Sequence, residues 1–489
     1  MSSKIPAWLG GVLLLAAATS TGATPWLAPG DLRARFAVQK LADRGHLALP
    51  ATSWPIMWRN LDASAGADQA ASGSAAAYLR FEREQQFTSG SHNEFFLSAQ
   101  TQEPAITGFS GYSPGEASAG VDLQWQGSAL AAGLSVTYAA NPDDSESVRL
   151  DGSYIAATAS NWIAGAGAIE RWWGPGWQSS LILSNNARPM PSVWLSRNAA
   201  TAPDNAWFGW LGPWDIILLA GQYESERAIP DTKLLAMRFA FRPVSGLDIG
   251  LSRAIMFGGD GRPEDLSTIW HALTGTDNGQ LEEDDPGNQI ASIDVRWGFA
   301  VGQQSMGLYS QMMGEDESGA FPSRKSWLLG LDWTSQWLGA DQQWFLEYVN
   351  TTADDLFGDA RYNVTYDHSR YQTGYRYYGR SMGASFDGDA EALTLGAYHF
   401  LADGSNLWGK VTHARLNRDG ATRAETTDPD VFYTVPAENT DVNLLELGYG
   451  RLLFSGWLEL SAQIADDEVE YAGGVQERWS VASRWTYRF

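Results

Sequence analysis

The chain has 489 residues, no cysteine and a formal net charge of −24 at pH 7. The absence of cysteine excludes a disulfide framework and thiol chemistry, and the negative charge argues against nucleic acid as a partner, because a phosphate backbone is bound through basic residues. Hydrophobic residues nevertheless make up 44% of the chain, including 23 tryptophans, a composition that favours a folded protein over a disordered one.

Residues 1–23 have the composition of a secretory signal peptide. A short polar start carrying Lys4 precedes the apolar run "WLGGVLLLAAA", and the small residues of "TSTGA" follow. The apolar run is too short to span a bilayer as a helix, and small residues fit a cleavage site. We therefore expect an exported protein, cleaved after Ala23 or, alternatively, after Ala18.

The next segment, residues 24–77, differs from everything after it. Asp31 suits a helix N-cap, and Leu32 and Phe36 lie on roughly one helical face. A Trp-Pro connector and an Ala/Ser/Gly-rich stretch follow. We predict a small, largely helical periplasmic module over residues 24–77, followed by a barrel over residues 78–489, in which residues 79–87 could form an additional or an alternative first strand.

From residue 78 onward the helical period gives way to alternation. Trp327, Leu329 and Leu331 alternate with Gly330 and Asp332, so that one face is apolar and the other is polar. The same pattern recurs over 121–126, 235–242, 293–299 and 477–489. An apolar outer face, a polar inner face and aromatic ends are typical of a transmembrane barrel, and a closed barrel satisfies every backbone group in lipid. The sequence therefore predicts an all-β transmembrane barrel of about 18 antiparallel strands, counted from about residue 93.

The connectors between these segments are of two kinds. Short turns such as "FSG", "ADGS" and "LGAD" alternate with long polar loops, which we predict at 141–146, 257–288, 314–325, 352–389, 417–440 and 465–476. Outer-membrane barrels have short turns on the periplasmic side and long loops outside, so the alternation assigns the two ends. Arginines on the predicted inner face either pair with inward acidic residues or give the lumen a positive lining: Arg238, Arg242, Arg296 and Arg488.

One stretch, residues 171–197, breaks the alternation. It reads "RWWGPGWQSSLILSNNARPMPSVWLSR", and its "WGPGW…LILSNNARP" core resembles the most recognisable motif of the Wzi family of capsule-assembly outer-membrane proteins. The N-terminal "PWLAPGDLRARFAVQKLADRGHLALPATSWPIMW" is similar to the opening of the same family. The resemblance implies an eighteen-stranded barrel in the outer membrane of a Gram-negative-type bacterium. It also implies a lectin-like, non-enzymatic protein that binds capsular or related exopolysaccharide and attaches it to the cell surface.

Two groups of residues are compatible with polysaccharide binding. Tryptophan rings offer apolar faces to sugar C–H groups, and asparagine and arginine side chains offer donors to hydroxyls or carboxylates; in the unusual stretch these are Trp172, Trp173, Trp177, Asn185, Asn186 and Arg188. The tyrosine-rich loop 362–380 adds Tyr375, Arg376 and Tyr377. Two alternatives stay open: the first stretch could plug the lumen without touching a ligand, and the tyrosine-rich loop could be an interfacial aromatic band.

Further expectations concern partners and rival functions. We expect a monomer that contacts outer-membrane lipid and lipopolysaccharide and is inserted by the outer-membrane assembly machinery. We also expect no metal or cofactor. The acidic clusters at 279–288 and 386–391 match no calcium-loop consensus. A porin or sugar-specific channel is the main alternative, because the inner face is polar. An outer-membrane hydrolase using His271 or His368 is a weaker one, since nothing in the sequence fixes their geometry.

Overall fold

A computed structural model describes residues 24–65, 73–87, 93–265, 287–318, 321–354 and 359–489. The predicted signal peptide, residues 1–23, lies outside the described residues. In the part of the chain that the structure describes, no helix combines the length and the apolar character needed to cross a membrane.

Within the described residues, eighteen antiparallel strands close into one barrel. They are β1 (Glu94–Gln100), β2 (Ala117–Gln126), β3 (Leu130–Ala140), β4 (Val148–Arg149 and Tyr154–Ala159), β5 (Trp162–Gly167), β6 (Ser192–Arg197), β7 (Trp214–Gln222), β8 (Lys233–Val244), β9 (Leu247–Phe257), β10 (Gly287–Val301), β11 (Gln304–Ser318), β12 (Phe321–Trp337), β13 (Ala340–Asn350), β14 (Glu391–Phe400), β15 (Asn406–Leu416), β16 (Thr440–Leu453), β17 (Gly456–Ala465) and β18 (Trp479–Arg488). Both pieces of β4 pair with β3 and count as one interrupted strand. Pairing of β18 with β1 closes the barrel. The predicted all-β barrel of about eighteen strands is confirmed.

The two faces of the strands differ as the alternation predicts. On β10 the side chains of Ile293 and Trp297 are exposed on the outside, whereas Asp294 and Arg296 are fully buried on the inside. An outward apolar surface is what lipid requires, since hydrocarbon offers no hydrogen bonds to polar groups. The long connections gather at one end of the barrel, which we call the outer end, and short turns mark the periplasmic end.

Two predicted boundaries are wrong. The helix Ser74–Phe87 crosses the predicted boundary at 77/78 and occupies the predicted additional strand at 79–87, and the barrel begins only at Glu94. Its sequence "SAAAYLRFEREQQF" is rich in strong helix formers, which outweigh the short local alternation. The predicted loop at 314–325 is largely strand, because β11 continues to Ser318 and β12 begins at Phe321.

The N-terminal module lies in the mouth of the barrel at the periplasmic end. It contains α1 (Leu32–Asp43), α2 (Trp58–Ala65) and α3 (Ser74–Phe87), and Asp31 caps α1 by accepting hydrogen bonds from two backbone N–H groups at 2.9 Å. Arg33 donates to the carbonyl of Gly404 (2.9 Å) in the turn after β14, and Arg44 donates to that of Gly302 (2.9 Å) in the turn after β10. Helix α1 is therefore held by turns from different strand pairs.

Buried ion pairs join this module to the barrel wall. Arg296 on β10 contacts Asp43 of α1 (2.5 and 2.8 Å) and Asp332 of β12 (3.0 Å). Charges removed from water are tolerated when they are paired and hydrogen-bonded. Two further buried pairs lie within the wall, Arg238 with Asp294 and Arg242 with Asp248. The exposed Arg488 of β18 pairs with Glu82 of α3 and Glu94 of β1. The prediction that inward arginines pair with inward acids is confirmed.

Candidate functional site

The stretch that broke the alternation lies inside the lumen. Residues 168–191, which we call the lumenal segment, connect β5 to β6 at the outer end. Trp172 pairs with Trp54 and Trp173 with Ser53 of the N-terminal module. The carboxylate of Glu347 on β13 accepts the backbone N–H groups of Trp177 (2.7 Å), Gln178 (3.3 Å) and Ser179 (2.7 Å). The segment is thus fixed both to the module and to the wall, and it fills the lumen from the outer side.

The three predicted sugar-stacking tryptophans are core residues of this filling. Trp172, Trp173 and Trp177 are 1%, 0% and 0% exposed. The guanidinium of Arg35, from α1, lies 4.4 Å from the ring centre of Trp177, and Phe345 stacks on the same indole at 6.2 Å. Protein atoms occupy the ring faces, so the predicted stacking on sugars does not fit this packing. An indole suits a packed core as well as a sugar, and the sequence does not separate the two uses.

The two predicted asparagines hold the lumenal segment to other connections at the outer end. Asn185 donates to the carbonyl of Phe109 (2.8 Å), and Asn186 donates to that of Ser381 (2.9 Å). Asn186 also accepts a hydrogen bond from the hydroxyl of Thr107 (3.0 Å). Both side chains are buried, so they hold the lumenal segment to the outer connections 101–116 and 351–390 rather than facing solvent.

The predicted tyrosine-rich group is also a buried scaffold. Arg376 forms ion pairs with Asp387 and, at 2.8 Å, with Asp367. The hydroxyl of Tyr375 donates to the carbonyl of Ile182 in the lumenal segment (2.9 Å). Tyr377 is buried as well. The predicted direct contact of these three residues with polysaccharide does not fit their burial, because a buried side chain cannot reach a polymer outside.

Arg188 differs from the other predicted site residues in its exposure. Of the nine predicted site residues, all of which lie in the described part of the chain, Arg188 alone is partly exposed. Its guanidinium contacts Asp151 (2.9 Å) and Asp144 (3.1 Å) and lies 4.7 Å from the ring centre of Tyr378, which is partly exposed too. Tyr378 has a φ of 47°, a conformation that is uncommon for a bulky residue. Such a conformation persists where the surrounding structure enforces it.

A second arginine–tyrosine stack lies in the same network. Arg380 lies 4.1 Å from the ring centre of Tyr112 and donates to the carbonyls of Asn186 (2.8 Å) and Pro104 (2.6 Å). Tyr112 is partly exposed, and burial raises its pKa to about 12; like an ordinary tyrosine, it is neutral at physiological pH.

Acidic side chains lie in the same network as the two arginine–tyrosine stacks. Glu103 accepts hydrogen bonds from the backbone N–H groups of Gly115 (2.5 Å) and Asp143 (3.2 Å). Burial, together with the neighbouring Glu103 carboxylate, raises the pKa of Asp143 to about 7, so near neutral pH this carboxyl can donate or accept. We define the outer cap cluster as Glu103, Tyr112, Asp143, Asp144, Asp151, Arg188, Tyr378 and Arg380.

Five members of the outer cap cluster are partly exposed at the outer end: Tyr112, Asp143, Asp151, Arg188 and Tyr378. The other three, Glu103, Asp144 and Arg380, are buried and hold Asp143, Arg188 and Tyr112 in place. Apolar ring faces complement the C–H surfaces of sugars, and fixed charged groups complement hydroxyls and carboxylates. Tyr378 lies in the predicted tyrosine-rich loop 362–380, although it is not one of the three residues named there. Tyr112 was not predicted, although "GYSPG" is a turn-rich aromatic segment of an outer loop. No group of three or more acidic or histidine side chains suited to a metal ion occurs among the described residues.

Comparison with known proteins agrees with this architecture. Residues 91–478 match the family model of capsule assembly protein Wzi. The solved structure of Escherichia coli Wzi, described as an outer-membrane protein involved in group 1 capsule assembly and a carbohydrate-binding β-barrel, superposes with a TM-score of 0.82 at 24% identity, covering 95% of this chain and 99% of that one. The outer membrane protein OprD of Pseudomonas aeruginosa reaches a TM-score of only 0.44 at 10% identity, covering 82% and 93% of the two chains.

A Klebsiella pneumoniae protein, described as an uncharacterized 55.8 kDa protein in the cps region, is 35% identical over 205 residues. That match covers 41% of this chain and 40% of the relative's length. The family model, by contrast, extends from residue 91, just before β1, to residue 478, just before β18. This chain is therefore an outer-membrane barrel that belongs to the capsule assembly protein Wzi family.

Proposed function

We propose that this protein binds a capsular or related exopolysaccharide at its outer cap cluster and retains it on the cell surface without catalysis. The observation that carries the proposal is the pair of arginine–tyrosine stacks whose tyrosine rings are partly exposed, Arg188 on Tyr378 and Arg380 on Tyr112, at the outer end of a filled lumen. The carbohydrate binding described for the E. coli relative supports the same ligand class.

The geometry supports binding through many weak contacts. Each tyrosine ring is held rigidly by an arginine, so little conformational entropy is lost when a sugar packs on it. A polymer presents the same sugar units repeatedly, and many barrels on one cell can engage one chain, so a modest affinity per site gives firm retention. Closure of the barrel by β18 and β1 leaves no open sheet edge, which supports a monomer that contacts outer-membrane lipid and lipopolysaccharide after insertion by the assembly machinery.

The filled lumen favours binding over conduction. Inward side chains of the wall, such as Arg238, Arg296 and Glu347, are fully buried against the N-terminal module or the lumenal segment. An aqueous channel needs a continuous wet path lined by polar groups. A porin would require both the N-terminal module and the lumenal segment to leave the lumen.

The histidines give the hydrolase alternative little support. The Nδ1 atom of His368 accepts the backbone N–H groups of Arg370 and Tyr371, both at 3.2 Å, so this nitrogen is occupied as a loop-stabilising acceptor. A neutral histidine whose Nδ1 accepts hydrogen bonds carries its proton on Nε2, so it has no free lone pair with which to act as a general base. His271 lies outside the described residues.

Retention of surface polymer tests the proposal in cells. A deletion strain would be restored with the wild type, with Tyr112→Ala plus Tyr378→Ala, or with Tyr449→Ala, a matched control on the lipid-facing side of β16. We expect deletion to move polymer from cells to medium at equal total synthesis, and the control to restore retention. Since an aromatic contact contributes about 0.5–1.5 kcal/mol, each lost ring should weaken binding by about 2- to 12-fold, and the double variant should restore retention poorly.

The proposal would be abandoned if deletion left the ratio of cell-bound to shed polymer unchanged. Each variant's level in the outer membrane must match the wild type, which heat-modifiable migration on gels would establish. A double variant that restores full retention at that level would keep the family role but remove the outer cap cluster as its site.

A further inference from the structure

One periplasmic connection differs from all its neighbours in the described structure. The chain between β6 and β7 spans residues 198–213, whereas the other connections at this end span two to five residues. It reads "NAATAPDNAWFGWLGP", and Asp204 is its one charged residue. A connection of this length and composition is not needed to join two adjacent antiparallel strands.

The connection folds back onto the outside of the barrel. The ring of Trp210 packs edge-on against Phe241 of β8, with ring centres 5.8 Å apart. Phe241 lies on the outward face of β8, where Phe239 follows at 5.4 Å, and Phe239 in turn contacts Trp214 of β7 at 5.7 Å. These outward rings near the periplasmic end belong to the aromatic belt that faces lipid headgroups in outer-membrane barrels, and Trp210 extends that belt.

Local hydrogen bonds hold the connection in place. The guanidinium of Arg197 lies 3.7 Å from the ring centre of Trp214 and donates to the Trp214 carbonyl and the Thr201 hydroxyl, both at 2.9 Å. The side chain of Asn205 accepts the backbone N–H of Phe208 (2.9 Å) and thereby closes the turn that precedes the short helix Gly209–Leu211. The aromatic tip is a defined turn resting on the barrel wall.

Three large aromatic side chains of this turn are uncovered. Trp207 is 84% exposed, Phe208 57% and Trp210 61%. Leaving so much apolar surface in water is unfavourable, at roughly 25 cal/mol for each Å². Tryptophan is the residue that membrane interfaces favour, because its ring is apolar and its N–H is polar. The near-absence of charge in the connection removes the main obstacle to its insertion into lipid.

From these observations we propose that residues 204–211 form an interfacial foot, which inserts Trp207, Phe208 and Trp210 into the periplasmic leaflet of the outer membrane. The occupant of this surface is lipid, because the foot is continuous with the lipid-facing belt. The foot would fix the depth and tilt of the barrel in the bilayer. This inference stands independently of polysaccharide binding.

The absence of cysteine allows a direct test by spin labelling. Ala206→Cys places a nitroxide beside the three rings without removing any of them. Ala402→Cys, in the exposed turn after β14 at the same end, serves as the aqueous reference, and Val411→Cys, exposed on the lipid-facing side of β15, serves as the membrane reference. In vesicles of phosphatidylethanolamine and phosphatidylglycerol, collision rates with oxygen and with a water-soluble nickel chelate report the depth of each label.

We expect the ratio of oxygen to nickel collisions at position 206 to be several-fold higher than at 402 and to approach that at 411. The same label in a Trp207→Ser plus Trp210→Ser background should move towards the aqueous value. A ratio at 206 equal to that at 402 would overturn the proposal, and so would protection from both reagents, which would mean that protein covers the turn. A label at 206 that stays in lipid without the two tryptophans would overturn their role as the inserting groups.

Discussion

Replacement of Arg296 by methionine should destabilise the folded barrel by about 3–5 kcal/mol, the usual consequence of removing one partner from a buried ion pair. Arg296 neutralises Asp43 and Asp332 together. Without the guanidinium, two carboxylates face each other in the lumen with no cation between them. Because Asp43 ends α1, the helix in the periplasmic mouth would be repelled from the wall.

Two measurements check this expectation. Urea unfolding of the reconstituted protein should show the lower stability, and planar-bilayer recordings should show conductance, whereas we expect none from the wild type. Arg415→Met is the matched control, because Arg415 also lies on a barrel strand but forms an exposed pair with Asp441 at 3.7 Å, and exposed pairs contribute about 0–1 kcal/mol. Wild-type stability and conductance in Arg296→Met would show that this ion triad does not hold the N-terminal module.

Replacement of Glu347 by leucine should release the lumenal segment. The carboxylate accepts three backbone N–H groups from residues 177–179 and the hydroxyl of Tyr309 at 3.0 Å. A buried donor left without an acceptor costs about 1–3 kcal/mol, and leucine supplies no acceptor for any of the four. We expect fast hydrogen exchange at residues 177–179 in this variant and slow exchange in the wild type.

The control for this substitution is Glu347→Gln, which keeps the shape of the side chain and one carbonyl oxygen. It should show an intermediate rate of exchange, since part of the acceptor capacity survives. If the leucine variant kept the slow exchange of the wild type, the segment would be held by its other contacts, such as the hydrogen bond from the Leu181 N–H to Gln311 at 2.9 Å.

The sequence was a good guide to the barrel because lipid and lumen impose a strict two-residue period. Residues such as Trp297 and Arg296 on β10 differ so strongly that their faces could be assigned without a structure. Helix α3 was misjudged because part of it also alternates, whereas its strong helix formers and its packing against α1 both favour the helix. The loop at 314–325 was misjudged because its charged residues look solvent-exposed, while backbone pairing continues through them.

The candidate site was harder to predict for a physical reason. Trp177 and Tyr375 have the side chains of a sugar-binding surface, but the same rings fill a core equally well, and burial depends on how distant loops fold together. Arg188 alone among the predicted residues reaches the outer surface, where its partner Tyr378 comes from a connection that lies far away in the sequence. Such a pairing across connections leaves no local pattern.

The central claim, that the outer cap cluster binds surface polysaccharide, is tested most directly by equilibrium binding. The purified polymer of the producing cell would be titrated onto protein held in nanodiscs, for the wild type, Tyr112→Ala plus Tyr378→Ala, and the lipid-facing control Tyr449→Ala. We predict saturable binding to the wild type and the control, and clearly weaker binding to the double variant. Equal binding by all three, or no binding by the wild type, would contradict the claim.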